Sequence, residues 1–299
     1  MLARGKLLVA AASLAMLAAT ACGSNSLDQP PAEGQPPSQP SSEIAADPAL
    51  AAKVPEKIKS AGKIVIGTDA SYAPNEFLAA DGKTIQGMDV DLFNAVAAKL
   101  GIKTDWQPAD FTSIITGVQG KKYDIGISSF TINDERKKQV TMVSYFSAGT
   151  QWATLAGNPK GFDIENACGR TIAVQTGTVQ ETEDLPARQA KCGDNKINIL
   201  SFKGQDQATN AVVTGRAEAM LADSPVTAYA VKQAAGKLDP LGDVYESAPY
   251  GYVLPKDQAE FGEAIVEALK QLEESGQYKG ALSTWGVENG AINDFAVNP

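Results

Sequence analysis

The chain has 299 residues, of which 43% are apolar and 20% charged. That is enough apolar material to bury the core of one large or two ordinary domains, and too little charge for a disordered polyampholyte. Its 35 acidic residues outnumber 26 basic ones, and the net charge of −9 argues against holding nucleic acid by phosphate neutralisation. The sequence contains no histidine, which excludes Ser–His–Asp and Cys–His nucleophiles, His-ligated zinc or haem, and histidine acid–base catalysis.

The chain opens with Arg4 and Lys6, followed by an apolar run over residues 7–19. Such a run has the length of a signal-peptide core and is short for a bilayer span. Ala19, Thr20 and Ala21 then precede Cys22. A cysteine directly after small residues resembles the bacterial lipobox, in which it becomes a lipidated N-terminus; Ala19 stands where leucine is usual. The expectation is a signal peptide over residues 1–21 and lipidation at Cys22, with ordinary secretion and an incidental cysteine as the alternative. Residues 23–54 hold six prolines, many Ser, Gly and Ala, and no aromatic. Without a helical or strand period, residues 22–54 are expected to be a lipidated cysteine and a flexible linker. No later stretch is long and apolar enough to cross a bilayer, so the lipid would be the sole anchor.

From residue 55 the pattern alternates. Residues 63–67 predict a strand. Residues 89–100 predict a helix, with Leu92, Phe93, Val96 and Leu100 along one face and Gly101 as its stop. A strand at 103–107, a helix at 112–118, a strand at 124–128 and a helix capped by Asn133 or Asp134 follow. After a break at residues 157–159 the pattern repeats: strand 171–174, helix 179–190, strand 197–202, helix 206–214 and strand 217–221. A strand at 251–254 precedes a long last helix, which opens on Asp257 and Glu260 like a capping box and stops at Gly276. The two remaining cysteines, Cys168 and Cys192, would lie in an oxidising compartment and are expected to form one disulfide worth roughly 3 kcal/mol, two buried thiols being the alternative. Two cysteines without histidine are an incomplete zinc set, so neither metal nor cofactor is expected.

Two runs of alternating strands and helices predict an α/β fold of two lobes with largely parallel sheets. Ligands of such sheets sit beyond the carboxyl ends of the strands. Arg136 there offers a planar fork for a carboxylate, and Thr131 a hydroxyl and an N–H near a helix start. Thr178 and Val179 open another helix, whose free N–H groups favour an anion. Asp223 offers a carboxylate to a cation, and Tyr72 and Phe111 offer apolar faces. Together they describe a receptor for a free α-amino acid. Singly each has a plainer reading: Arg136 as a solvated helix charge, Asp223 as a helix cap, Ser128 and Ser129 as ordinary strand-end residues.

Five segments carry a family resemblance: IGTDASY at 66–72, GMDVDL at 87–92, KYDIGISS at 122–129 with Glu135-Arg136, QTGTVQE at 175–181 and AEAMLAD at 217–223. Over residues 55–287 the chain resembles the family 3 extracellular solute-binding proteins, the amino-acid-binding components of ABC transporters. The resemblance implies a periplasmic-binding-protein-like (type II) fold whose chain crosses twice between lobes, near 147–151 and 248–252. Lobe 1 would be residues 55–148 plus 251–299 and lobe 2 residues 149–250. It implies a lipid-anchored, monomeric, extracytoplasmic protein of the cell membrane that binds a free amino acid and delivers it to a permease by lobe closure, with no catalytic step. Arg136 would pair with the ligand carboxylate, helped by Thr131 and the Val179 N–H. Asp223 and the Ser129 carbonyl would take the ammonium, and Tyr72 and Phe111 would pack on the side chain. Asp69, Ser128, Gln175 and Gln180 would line the specificity end. Asn75 replaces a frequent aromatic and would make that end more polar, and valine at 179 removes a hydroxyl. Asp69 and Glu76 disfavour acidic ligands and leave basic or neutral polar ones, with Glu76 facing either pocket or solvent. The competing class is a dehydratase-like enzyme on the same fold, using Asp69 and Glu76 as an acid–base pair.

Overall fold

A computed structural model describes residues 44–299; the expected signal peptide, Cys22 and the expected linker up to residue 43 lie outside the described residues. The linker expectation ends earlier than residue 54. Helix α1 (Pro48–Ala52) is capped by the Asp47 carboxylate, which accepts the Ala49 N–H at 2.8 Å and the Leu50 N–H at 3.3 Å. Leu50 and Val54 are buried in the largest core cluster. Two apolar residues four apart suffice to dock one helical turn, but do not stand out among prolines and alanines.

Helix α2 (Glu56–Ala61) stops at Gly62 with φ 66° and feeds strand β1 (Lys63–Thr68). A small antiparallel sheet follows, made of β2 (Ser71–Tyr72), β3 (Glu76–Leu78) and β4 (Ile85–Gln86). Gly87, at φ 140°, begins helix α3 (Met88–Lys99), where a Cβ would lie 2.1 Å from the Asn75 carbonyl oxygen. Leu92, Phe93 and Val96 of α3 are fully buried, as their helical spacing requires. Strand β5 (Lys103–Pro108), helix α4 (Phe111–Gln119), strand β6 (Ile125–Gly126) and helix α5 (Asp134–Gln139) complete the first run, with the Asn133 side chain accepting the Arg136 N–H as cap.

Strand β7 (Thr141–Leu155) leads into the second run: β8 (Thr171–Gln175), a π-helical turn Gln180–Asp184, α6 (Leu185–Gln189), β9 (Asn198–Phe202), α7 (Gln205–Val213), β10 (Ala219–Asp223) and α8 (Ser224–Gln233). The single helix expected at 179–190 is thus two pieces. Pro186, at the start of α6, has no N–H to continue an α ladder from the preceding turn. Strand β11 (Leu238–Leu254) returns, and α9 (Ala259–Glu274) and α10 (Gln277–Trp285) follow. The expected capping box is absent: Gln258 is the cap of α9 and makes no side-chain bond to it, and Glu260 falls one position short of where a box needs it. Nor is α9 the last helix, because Gly276 at φ 76° turns the chain into α10.

The large sheet has the order β5-β1-β6-β11-β7-β10-β8-β9. Each outer trio contains parallel pairs, whereas β7 and β11 run antiparallel to each other and to β10 and β6. These two long strands join the halves side by side, with Ala248 opposite Ala148 and Pro249 opposite Ser147. The apolar core divides accordingly. Two clusters draw on residues 50–148 and 250–295, and two others on residues 152–241. Cys168 and Cys192 form a disulfide in the second half. No helix among the described residues is long and apolar enough to cross a membrane.

Candidate functional site

A cavity lies between the two halves, lined by Asp69, Tyr72, Phe111, Ser128, Ser129, Thr131, Arg136, Gln175, Thr178, Val179, Gln180 and Asp223. Of the thirteen binding residues expected from sequence, the structure brings all but Glu76 to this one cavity. The strand ends explain the convergence: β1, β6, β8 and β10 all finish on its walls.

Arg136 is not a solvated helix charge. Its side chain folds back from α5, where Nη1 donates to the Thr131 carbonyl at 2.8 Å and Nη2 crosses to the Gly177 carbonyl at 3.1 Å. The guanidinium lies against the Phe111 and Phe130 rings, 5.6 and 5.4 Å from their centroids, and those rings stack on each other at 4.6 Å. Burial pushes its pKa down to about 10, while Asp223 acts in the opposite sense, so the group stays a cation at neutral pH. Gly177 permits this approach: with φ 82°, an added Cβ would sit 2.7 Å from Thr112 of α4.

Asp223 faces the same cavity from β10. It occupies the cap position of α8, yet its side chain makes no capping bond. Its Oδ1 accepts Gln180 Nε2 at 2.8 Å, and its Oδ2 accepts the Tyr250 hydroxyl at 2.7 Å. Its own N–H donates to the Tyr72 hydroxyl at 3.2 Å. Burial raises the Asp223 pKa, opposed by hydrogen bonds from Tyr250, Gln180 and Tyr72 and by the Arg136 charge. Arg136 and Asp223 make no direct ion pair among the described residues, so each keeps capacity for a third party.

Asp69 marks another wall. Its Oδ1 accepts the Ser71 hydroxyl at 2.6 Å, and its Oδ2 accepts the Phe111 N–H at 2.9 Å and Gln175 Nε2 at 3.1 Å. Burial raises its pKa, opposed chiefly by Ser71 and the Phe111 N–H, which opens α4. The Thr178 hydroxyl donates to the Gln175 carbonyl at 2.8 Å, and Gln180 also bonds Thr150 at 2.9 Å.

Glu76 corrects the sequence reading. It faces neither cavity nor solvent: fully enclosed, it accepts the Ser128 hydroxyl at 3.0 Å from beneath, and shares the Ser129 hydroxyl, 3.3 Å away, with Asp89. Asn75 is likewise enclosed and donates to Ser129 Oγ at 2.9 Å, so it does not make the cavity lining more polar. Glu76 opens β3 and Asn75 directly precedes it, and the burial of both is not something a strand-end argument could foresee. The sequence reading missed Tyr250 and Thr150, which orient Asp223 and Gln180. It also missed Asp89, which holds Ser129. Tyr250 lies within the second crossing expected at 248–252, and its place there was the available signal.

The sequence profile of the family described as bacterial extracellular solute-binding proteins, family 3, matches residues 64–288. The arginine-binding protein ArgT of Corynebacterium glutamicum is 37% identical over 254 residues, covering 84% of this chain and 83% of that protein. Among solved structures, an ancestral arginine-binding protein bound to glutamine superposes with a TM-score of 0.69 at 31% identity, covering 76% of this chain and 99% of that one. The ancestral amino-acid-binding protein AncCDT-1, a precursor of cyclohexadienyl dehydratase, matches with the same score and identity over 77% of this chain and 97% of its own. With the profile spanning most of the chain and both lobes, this protein belongs to the family 3 bacterial extracellular solute-binding proteins.

Proposed function

We propose that this chain captures a free amino acid with a cationic side chain on the extracytoplasmic face and hands it to an ABC-transporter permease. The carrying observation is that Arg136 and Asp223, from opposite halves, face one buried cavity. A zwitterion held at both poles favours the closed form over the open one, and that differential contact drives closure. Cross-cleft bonds define the closed form: Arg136 to Gly177, Gln175 to Asp69, the Gln205 N–H to Ser71 Oγ, and Asn133 to Glu183. The lobes in this reading are residues 55–148 with 251–299, and residues 149–250. Lipidation at Cys22 would tether a monomer to the membrane.

The cationic side chain follows from Asp69. Its carboxylate is buried on the cavity wall, and its hydrogen-bond donors are neutral. The names of the relatives support this choice: one binds arginine, and an ancestral arginine-binding protein also accepts glutamine. The test is a thermal-shift screen of the twenty common amino acids with ornithine and citrulline. L-arginine is expected to raise the melting temperature most. Citrulline, nearly the same shape without the charge, should raise it less; parity between the two would defeat the charge reading.

The enzymatic reading has one point in its favour, the likeness to a dehydratase precursor. It needs Asp69 and Glu76 as a working pair in the cleft. Glu76 lies behind the serines, out of reach of a bound molecule. Turnover of a cyclohexadienyl acid would revive that reading, and none is expected.

A further inference from the structure

Beneath the cavity floor lies a group that ligand binding, as described, leaves unused. Glu76 of β3 and Asp89 of α3 are both fully enclosed. Asp89 Oδ2 accepts three bonds: the Ser129 N–H at 3.1 Å, the Ser129 hydroxyl at 3.2 Å and the Tyr145 hydroxyl at 2.8 Å. Asp89 Oδ1 has no donor, although it is buried. An ionised carboxylate oxygen in a dry site without a donor is costly. The Glu76 carboxyl lies within hydrogen-bond reach of the Asp89 carboxyl, so a proton held between them supplies the missing donor.

The serines above depend on this pair. Ser129 sits at φ 52°, a conformation that costs a non-glycine residue about 1 kcal/mol or more. Both its N–H and its hydroxyl are held by Asp89. The Ser128 hydroxyl donates to Glu76 and accepts the Asp69 N–H at 3.0 Å, so it couples Glu76 to the cavity wall. Both serines line the cavity. We propose that Glu76 and Asp89 share one proton and act as a positioning pair, fixing Ser128 and Ser129 so that the cavity floor meets the bound amino acid in one geometry.

Groups facing the pair from every packed element are acidic or phenolic: Asp69 after β1, Tyr72 of β2, Tyr145 of β7 and Tyr252 of β11. Burial raises Glu76 well above the usual carboxylate range and pushes Asp89 up to about 6. Near neutral pH the pair therefore carries one proton and one negative charge. Below about pH 6 it gains a second proton, Asp89 Oδ2 gives up its role as a charged acceptor, and ligand affinity falls.

The choice of L-arginine as probe rests on the proposed function; the spectroscopic arm does not. Infrared spectra of the ligand-free protein at neutral pH should show a protonated-carboxyl C=O band that disappears in Glu76→Gln. Glu76→Ala should lose about tenfold in arginine affinity, and Glu76→Gln, whose amide donates permanently to Asp89 Oδ1, should recover to within about threefold. The acid-side fall in affinity should move to slightly higher pH in Glu76→Gln, because an amide is a weaker donor to Asp89 than a carboxyl. A folded parent without the band, or equal affinities for the two variants, overturns the proposal. A parent that shows the band but ignores arginine refutes the ligand and leaves the shared proton standing. If Glu76→Ala does not fold, the band and the pH shift in Glu76→Gln still decide.

Discussion

The two charged ends of the cavity are built on different physical terms. At the Arg136 end, one guanidinium is held by two backbone carbonyls and two aromatic rings, and its charge survives burial with Asp223 and Glu183 opposing the loss. At the Asp69 end, negative charge is spread over a cavity-wall carboxylate and, behind Ser128, the enclosed Glu76 and Asp89. The first end gathers Thr131 and Phe130, just before α5, with Phe111 and Gly177 from farther away in the chain. The second is assembled from β1, β3 and α3 and depends on tertiary packing. In the proposed reading, the first end takes the α-carboxylate that every amino acid carries, and the second selects the side chain.

Removing the single charge should do the greatest damage. Arg136→Ala is expected to weaken arginine binding more than about a hundredfold, roughly 3 kcal/mol, by calorimetry, because a buried carboxylate loses its partner. Arg136→Lys should recover part of this, since a point charge lacks the fork. Affinity unchanged in Arg136→Ala would place the ligand elsewhere. Next comes Asp223→Asn, expected to cost about thirtyfold, or 2 kcal/mol, as the ammonium and the Tyr250 hydroxyl lose an anionic acceptor. A ligand-induced thermal shift equal to the parent's would reduce Asp223 to the residue that starts α8.

The sharpest comparison uses Asp69→Asn. Arginine affinity should fall about tenfold and glutamine affinity should change less than about threefold, because only one ligand brings a second positive charge. Equal losses for both would mean that Asp69 serves mainly to hold the Phe111 N–H at the start of α4.

The legibility of the site follows the same division. Arg136, Thr131, Gln175, Thr178, Gln180 and Asp223 could be found because polar residues just past strands have few structural excuses, and strand ends of an α/β sheet converge. Asp89 could not: an acid in the first turn of a helix reads as a favourable dipole partner, and its complete burial depends on Tyr145, far along the chain. Glu76 was noticed and misplaced, because a three-residue strand does not show which face it buries. The outer strands, the amphipathic helices and the end of β11 at 251–254 are legible in the sequence, but β7 and the rest of β11 are not. β7 is buried over nearly its whole length, so no alternation marks it, while β11 is buried only at Leu238 and over 250–254, and the two pair across about a hundred residues. Leu50 and Val54 show the same limit at small scale, since burial of two residues in a proline-rich stretch is decided by α9 and α3 waiting for them.

The smallest effect on either end is expected from the disulfide. Cys168 and Cys192 close a separation of 24 residues, which predicts a loss of about 3 kcal/mol in stability for the Cys168→Ser/Cys192→Ser double variant. In a lobed protein of this size that is a fall of roughly 6–12 °C in melting temperature. Cys168 precedes the amino end of β8, whereas Gln175 closes its carboxyl end on the cavity. Four residues of strand, about 13 Å, separate Thr171 from Gln175. Arginine affinity should therefore stay within about twofold of the parent while the melting temperature falls. A matching loss of affinity would show that the far end of the second half helps set the cavity wall that Gln175 and Gln180 line.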